Sequence, residues 1–171
     1  MRHWVTTDTH IGHKNIQKYC NRPANCDDLI IQGLSVLKEG DILIHLGDVA
    51  FNNWGEETYL SAIPEGVKKW LVLGNHDKKP SYHLRQGWDW VGRSMRMKRF
   101  GKVIQFSHVP IPSYNCDIQL HGHFHNNPAK YWEGHLKQVI DSKHRLLILE
   151  EVDYKPVLLE KLVLKEGLTD R

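Results

Sequence analysis

Five polar motifs, spread between Asp8 and His125, each follow a short apolar run, and that repeated placement constrains the fold more than any other feature of the chain. The runs are His3 to Thr7, Ile42 to Leu46, Trp70 to Leu73, Val103 to Phe106 and Ile118 to Leu120. The motifs behind them are Asp8-Thr9-His10, Gly47-Asp48, Gly74-Asn75-His76-Asp77, Ser107-His108 and Gly122-His123-Phe124-His125. Runs of this length, bounded by Gly, Asn or Asp, read as buried strands. Polar groups at the carboxyl ends of successive strands converge on one edge of a sheet, where α/β proteins keep their sites. The chain is therefore expected to be α/β, with its chemistry along one sheet edge.

The side chains delivered there are metal ligands. Of 12 histidines, His10, His13, His76, His108, His123 and His125 fall in or beside the motifs. Imidazole, carboxylate and amide donors without cysteine suit first-row divalent ions. Two ions held close together need a ligand that bridges them, and Asp48, the single acid of its motif, is the candidate. Asp8, His10 and His125 complete one ion in this reading, and Asn75, His108 and His123 the other. Mn²⁺ is the expected occupant, with Fe, Co, Ni and Zn also suited. Such a centre makes a bridging hydroxide available at neutral pH and neutralises charge on phosphoryl oxygens. His76, next to Asn75, is placed to assist the leaving group, with Asp77 to orient it. His13 and Arg22 are candidate substrate contacts, the latter as a bidentate phosphate clamp.

Composition narrows the classes. A chain of 171 residues reads as one domain, residues 1–171, large enough to bury a core without disulfides. A net charge of +3 is too small to argue for nucleic acid or an anionic membrane as partner. The three cysteines, Cys20, Cys26 and Cys116, show no metal or redox spacing and point to a reducing, cytoplasmic setting. Asp8 stands where a signal peptide would have to include it, and no apolar run approaches the ~20 residues of a membrane span. His3, His45, His83, His135 and His144 read as surface or satisfied core residues.

Between the motifs, Gly12 to Cys20 reads as a short helix, Asp27 or Asp28 as the cap of a helix to about Lys38, and Asn53 as the cap of another. Gly92 to Phe106 predicts two strands turning near Phe100-Gly101-Lys102. The alternating tail, Leu146 to Val152 and Val157 to Val163, predicts a hairpin-like strand pair. This order suits two packed sheets flanked by helices better than one parallel sheet.

The series Asp-x-His, Gly-Asp, Gly-Asn-His-Asp, His, Gly-His-x-His, complete and in order from Asp8 to His125, resembles the signature of calcineurin-like metallophosphoesterases. The opening Asp8-Thr9-His10-Ile11-Gly12-His13-Lys14-Asn15 and the tail Tyr154-Lys155-Pro156-Val157 are similar to small bacterial and phage members. The resemblance implies a four-layer αββα sandwich of two mixed sheets. It also implies a two-metal centre with the ligand division above and His76 near the leaving group. Gly47-Asp48 runs into Val49-Ala50-Phe51 rather than an acidic-Arg-Gly extension, and the third motif ends in Asp77 rather than Glu, unlike the protein Ser/Thr phosphatases. A small phosphate ester is thus the expected substrate, diesters ahead of monoesters. Nucleic acid is not an expected partner, because only the basic stretch from Arg93 to Lys102 offers a surface for it. The competing reading, from a different class, is a non-catalytic interaction module that keeps the fold.

Overall fold

Every apolar run becomes a strand. The computed structural model describes residues 1–127 and 134–164. β1 (His3–Thr6), β2 (Ile42–His45), β3 (Lys68–Val72) and β4 (Trp90–Gly92) pair in parallel, in the order β4-β3-β2-β1. A second sheet has the order β5-β6-β7-β8, from β5 (Ser94–Arg99), β6 (Lys102–Ser107), β7 (Ile118–His121) and β8 (His144–Leu146). β5 is antiparallel to β6, through the turn at Phe100 and Gly101 (φ 53° and 70°), whereas β6, β7 and β8 are parallel. β9 (Val157–Leu158) closes the first sheet antiparallel to β1, so both sheets are mixed.

The two sheets pack face to face. Val5, Ile42, Ile44 and Val72 of the first meet Ile104, Phe106, Ile118 and Leu120 of the second in one apolar cluster. Trp4, Leu43 and Leu71 point the other way, onto the helices α2 (Cys26–Gly33) and α3 (Asn53–Ser61) through Ile30 and Tyr59. β1 and β2 are buried on both faces, which is why their sequences do not alternate apolar with exposed polar residues. Two mixed sheets flanked by helices are what the sequence predicts. Trp88, just before β4, joins the outer cluster and donates to the buried Glu56 carboxylate at 2.9 Å. Glu56 also holds His83 of α4 (Pro80–Gln86) at 2.6 Å. His83, His45 and His144 are indeed buried and bonded, while the His135 side chain lies outside the description.

Three expectations need correction. The first helix, α1 (Ile16–Tyr19), is a single turn. α2 starts one residue after Asn25, so Asp27 and Asp28 sit in its first turn, and Asn52, not Asn53, caps α3 by accepting from the Gly55 amide at 2.8 Å. The tail is not a hairpin. β8 belongs to the second sheet and β9 to the first, with a 3₁₀ turn (Leu149–Glu151) between them. Only two residues of β9 pair before the chain turns into α5 (Leu159–Leu164). Its buried residues Leu159, Leu162 and Val163 follow i, i+3, i+4, a helical spacing that fills the inter-sheet core.

Candidate metal centre

The loops after β1 and β2 run side by side beyond the sheet. Asp8 N donates to Gly47 O at 2.9 Å, His10 N to Asp48 O at 3.0 Å, and Ile11 N to Val49 O at 3.0 Å. This zipper sets Asp8, His10 and Asp48 on one edge. The loop after β3 brings Asn75, His108 directly follows β6, and the loop after β7 brings His123 and His125. Asp8, His10, Asp48, His123 and His125 all have left-handed backbone, with φ of 50°, 48°, 57°, 75° and 52°. Such conformations cost of order 1–3 kcal/mol each in L-residues and persist where surrounding structure imposes them. Glycines allow the close approach: a Cβ at Gly122 would overlap Thr7 Oγ1 and Asp8 Oδ2, and one at Gly74 would overlap Asp48 Oδ1.

Asp8, Asp48, His108 and His125 each have one atom tied back and one turned inward. Asp8 Oδ2 accepts from Thr7 Oγ1 at 2.6 Å and from the His123 amide at 2.9 Å. Its Oδ1 is buried without a hydrogen-bond partner, 3.5 Å from His125 Nε2 and 3.9 Å from His10 Nε2. His10 Nε2 is likewise buried and unpartnered by a hydrogen bond. Asp48 Oδ1 accepts from the His76 amide at 3.0 Å. Its Oδ2 stands 3.5 Å from His10 Nε2 and 3.3 Å from His108 Nε2, between the two groups. His108 Nδ1 lies 2.8 Å from Leu46 O, and Nε2 faces Asn75 Oδ1 at 3.0 Å and His123 Nδ1 at 3.2 Å. The structure thus brings all seven expected ligands together. Asp8, His10 and His125 have ligand atoms close enough for one ion, as do Asp8, Asp48 and His108. Orphaned buried acceptors that face one another are the signature of a cation site, and this donor set fits divalent metals.

Electrostatics agree with that fit. Burial pushes the His10 imidazole down to about 3, so it is a neutral ligand at physiological pH. Burial pushes His108 down too, but Asp8 and Asp48 outweigh it and hold the ring up at about 9. At His125 burial is outweighed by hydrogen bonds to Cys20 and Glu150, together with Asp8, which hold the ring up at about 10. A divalent ion bound here would displace protons from both rings.

Two predicted roles are overturned. The Arg22 side chain is fully buried and its nitrogens serve the protein: Nη1 donates to Thr9 O at 3.0 Å, Nη2 to Asp8 O at 2.7 Å, and Nε to Glu150 Oε1 at 2.8 Å. It braces the ligand loop from behind rather than clamping phosphate. Asp77 does not orient His76. Its carboxylate accepts the backbone amides of Asp48 (2.7 Å), Val49 (3.1 Å) and Gly74 (2.8 Å), welding two ligand loops together. Burial raises its pKa despite those bonds. His76 itself is exposed at the mouth, its ring 5.8 Å from that of His10. His13 is half-buried, its ring 5.8 Å from that of His10.

Glu150 is the functional residue that sequence reasoning missed. It lies 3.2 Å from His125 Nδ1, leaving Nε2 to face Asp8, in the manner of a carboxylate that fixes a metal-binding histidine. Cys20 belongs to the same cluster. The sequence signal was faint: one of two adjacent acids, Glu150 and Glu151, at the end of an apolar run and far from every motif.

Comparison with known proteins follows the same lines. The chain is 30% identical to an uncharacterized protein of Methanocaldococcus jannaschii over 175 residues, covering 94% of this chain and 88% of that one. It is similar in structure to a protein of unknown function from Aquifex aeolicus, with a TM-score of 0.73 and 28% identity over 94% of this chain and 97% of that one. The family model for calcineurin-like phosphoesterases matches residues 1–111, from β1 through His108. With the ligand motifs, the two mixed sheets and this match in agreement, the chain belongs to the calcineurin-like phosphoesterase family.

Proposed function

We propose that the protein is a binuclear metal-dependent phosphodiesterase acting on a small substrate. The observation that carries this reading is that Asp8, Asp48, His108 and His125 each tie one atom back and turn another inward, with Asp8 Oδ1 and His10 Nε2 buried and unsatisfied. Asp8, His10 and His125 would hold one ion, Asn75, His108 and His123 the other. Asp48 Oδ2, set between His10 and His108, would be shared. When bound, the two ions supply an activated water at neutral pH and neutralise phosphoryl charge. The chain's own work is then to hold the ligands and to manage the leaving group. His76, pinned through its amide by Asp48 and exposed at the mouth, offers an imidazole proton to the departing alkoxide.

Diesters are favoured over monoesters for two reasons. Arg22 is consumed by Glu150 and backbone carbonyls, so the second negative charge of a monoester gains no guanidinium from it. A cleft opens beside His13, giving room for a second substituent on phosphorus. The test is hydrolysis of bis-p-nitrophenyl phosphate beside p-nitrophenyl phosphate by Mn²⁺-loaded protein. A higher kcat/KM for the diester is expected. Preference for the monoester would reassign the protein as a phosphatase, and turnover of neither at full metal loading would favour a binding module.

A further inference from the structure

We propose that His45, at the end of β2, is a positioning residue that locks the loop carrying Asp8 and His10 to the loop carrying Asp48. This rests on the binuclear reading above and adds a residue that lies outside every ligand motif. His45 is fully buried, and both of its ring nitrogens are engaged. Nδ1 accepts from the Gly47 amide at 3.0 Å, so the ring proton sits on Nε2. Nε2 lies 2.9 Å from Thr9 Oγ1, whose own proton goes to Val49 O at 2.7 Å. The hydroxyl therefore accepts from the imidazole, and the chain His45 to Thr9 to Val49 has one donor and one acceptor at each step. Thr9 stands between Asp8 and His10, while Gly47 and Val49 flank Asp48.

These partners separate the ring from an ordinary core histidine. From Gly47 to Val49 the backbone bonds between the loops run one way, from amides of the first loop to carbonyls of the second. The amides of the second loop go to side chains instead: Gly47 to His45, Asp48 and Val49 to Asp77. Gly47 is left-handed, with φ 101°, and a Cβ there would overlap Gly74 and the His108 ring. Packing fixes the direction of the imidazole. It meets Tyr59 edge-on at 5.5 Å and Trp88 edge-on at 6.0 Å, and those two rings stack on each other at 6.4 Å. Glu56 holds the indole in turn. Phenylalanine would fill this aromatic box equally well, but it offers neither donor nor acceptor. Lysine or arginine would bring a charge that competes with a cation beside Asp8 and Asp48. Burial pushes the His45 ring down to about 3 against the pull of those two carboxylates, so it makes both bonds as a neutral group.

Three substitutions separate positioning from packing. Thr9→Val keeps the shape and removes the hydroxyl. His45→Phe keeps the aromatic contacts and removes both bonds. His45→Gln puts an amide nitrogen where Nε2 stood and restores the bond to Thr9. Calorimetry of Mn²⁺ on stripped protein is expected to show affinity lower by about 10- to 100-fold in Thr9→Val and His45→Phe, with most of it recovered in His45→Gln. Melting temperatures in chelator are the control, since a merely structural residue lowers them and leaves the affinity of the folded protein alone. In the stripped wild type, ¹⁵N spectra of the imidazoles should show His45 protonated on Nε2 only, from about pH 5 to 8. If His45→Phe does not fold, Thr9→Val and these spectra carry the test. Unchanged affinity in Thr9→Val overturns the proposal, as does a proton on Nδ1 or a loss in His45→Gln as deep as that in His45→Phe. Wild-type protein that binds Mn²⁺ but hydrolyses neither ester removes the phosphodiesterase reading alone. Wild-type protein that binds no Mn²⁺ overturns both.

Discussion

At the scale of single residues, the centre depends on groups that hold ligands as much as on the ligands. Glu150 sits behind His125 as the residue that sets its tautomer. Glu150→Gln is expected to weaken Mn²⁺ binding by roughly 10- to 100-fold with the fold intact, measured by calorimetry on stripped protein. An unchanged affinity would show that His125 needs no such support. His76→Ala should lower kcat by about 100-fold or more for alkyl leaving groups. The loss should be far smaller for p-nitrophenolate, which departs without a proton; a uniform loss across leaving groups would argue against proton donation. The convergence of the seven proposed ligands was legible because each motif closely follows its strand. Arg22 and Glu150 were not: their pairing spans 128 positions, and no local pattern announces it. Asp77 was misread because adjacency in sequence to His76 says nothing of direction, and its carboxylate turns back to three amides.

At the scale of elements, loops are joined by buried carboxylates that substitute for regular pairing. Asp77 links the loops after β2 and β3, and Asp77→Ala would leave three backbone amides without their acceptor. A loss of at least about 2 kcal/mol is expected, seen as a melting temperature lower by roughly 4–8 °C. Asp41 joins the start of β1 to the entry of β2, accepting from Arg2 Nη2 at 2.7 Å, Trp4 Nε1 at 2.9 Å and the Lys38 amide at 3.1 Å. Burial alone would raise its pKa, but Arg2, Trp4 and the amides hold it down at about 2. Its folded value lies below its unfolded one, so its contribution is complete above about pH 4 and fades as pH falls toward 2. The stability gap between wild type and Asp41→Asn should shrink over that interval in denaturant titrations; a gap that widens on acidification would contradict the assignment. Strands buried on both faces were readable as unbroken apolar runs. The tail was not, because its alternation mimics a strand while Leu159, Leu162 and Val163 share a helical face.

At the scale of the whole molecule, two sheets exist to bring five strand ends to one edge, and the strain of five left-handed ligand residues is the cost of that convergence. Among the described residues no helix is long and apolar enough to cross a membrane. Metal that binds only the folded chain must stabilise it, by about 2.7 kcal/mol at a hundredfold excess over Kd. The melting temperature should therefore climb with Mn²⁺ and fall in chelator. The most direct test of the central claim is turnover of bis-p-nitrophenyl phosphate as stripped protein is titrated with Mn²⁺. No hydrolysis is expected in the stripped protein, with activity that saturates once two ions are bound per chain. Full activity in chelator, or saturation at a single ion, would contradict the proposed two-metal centre and the shared Asp48.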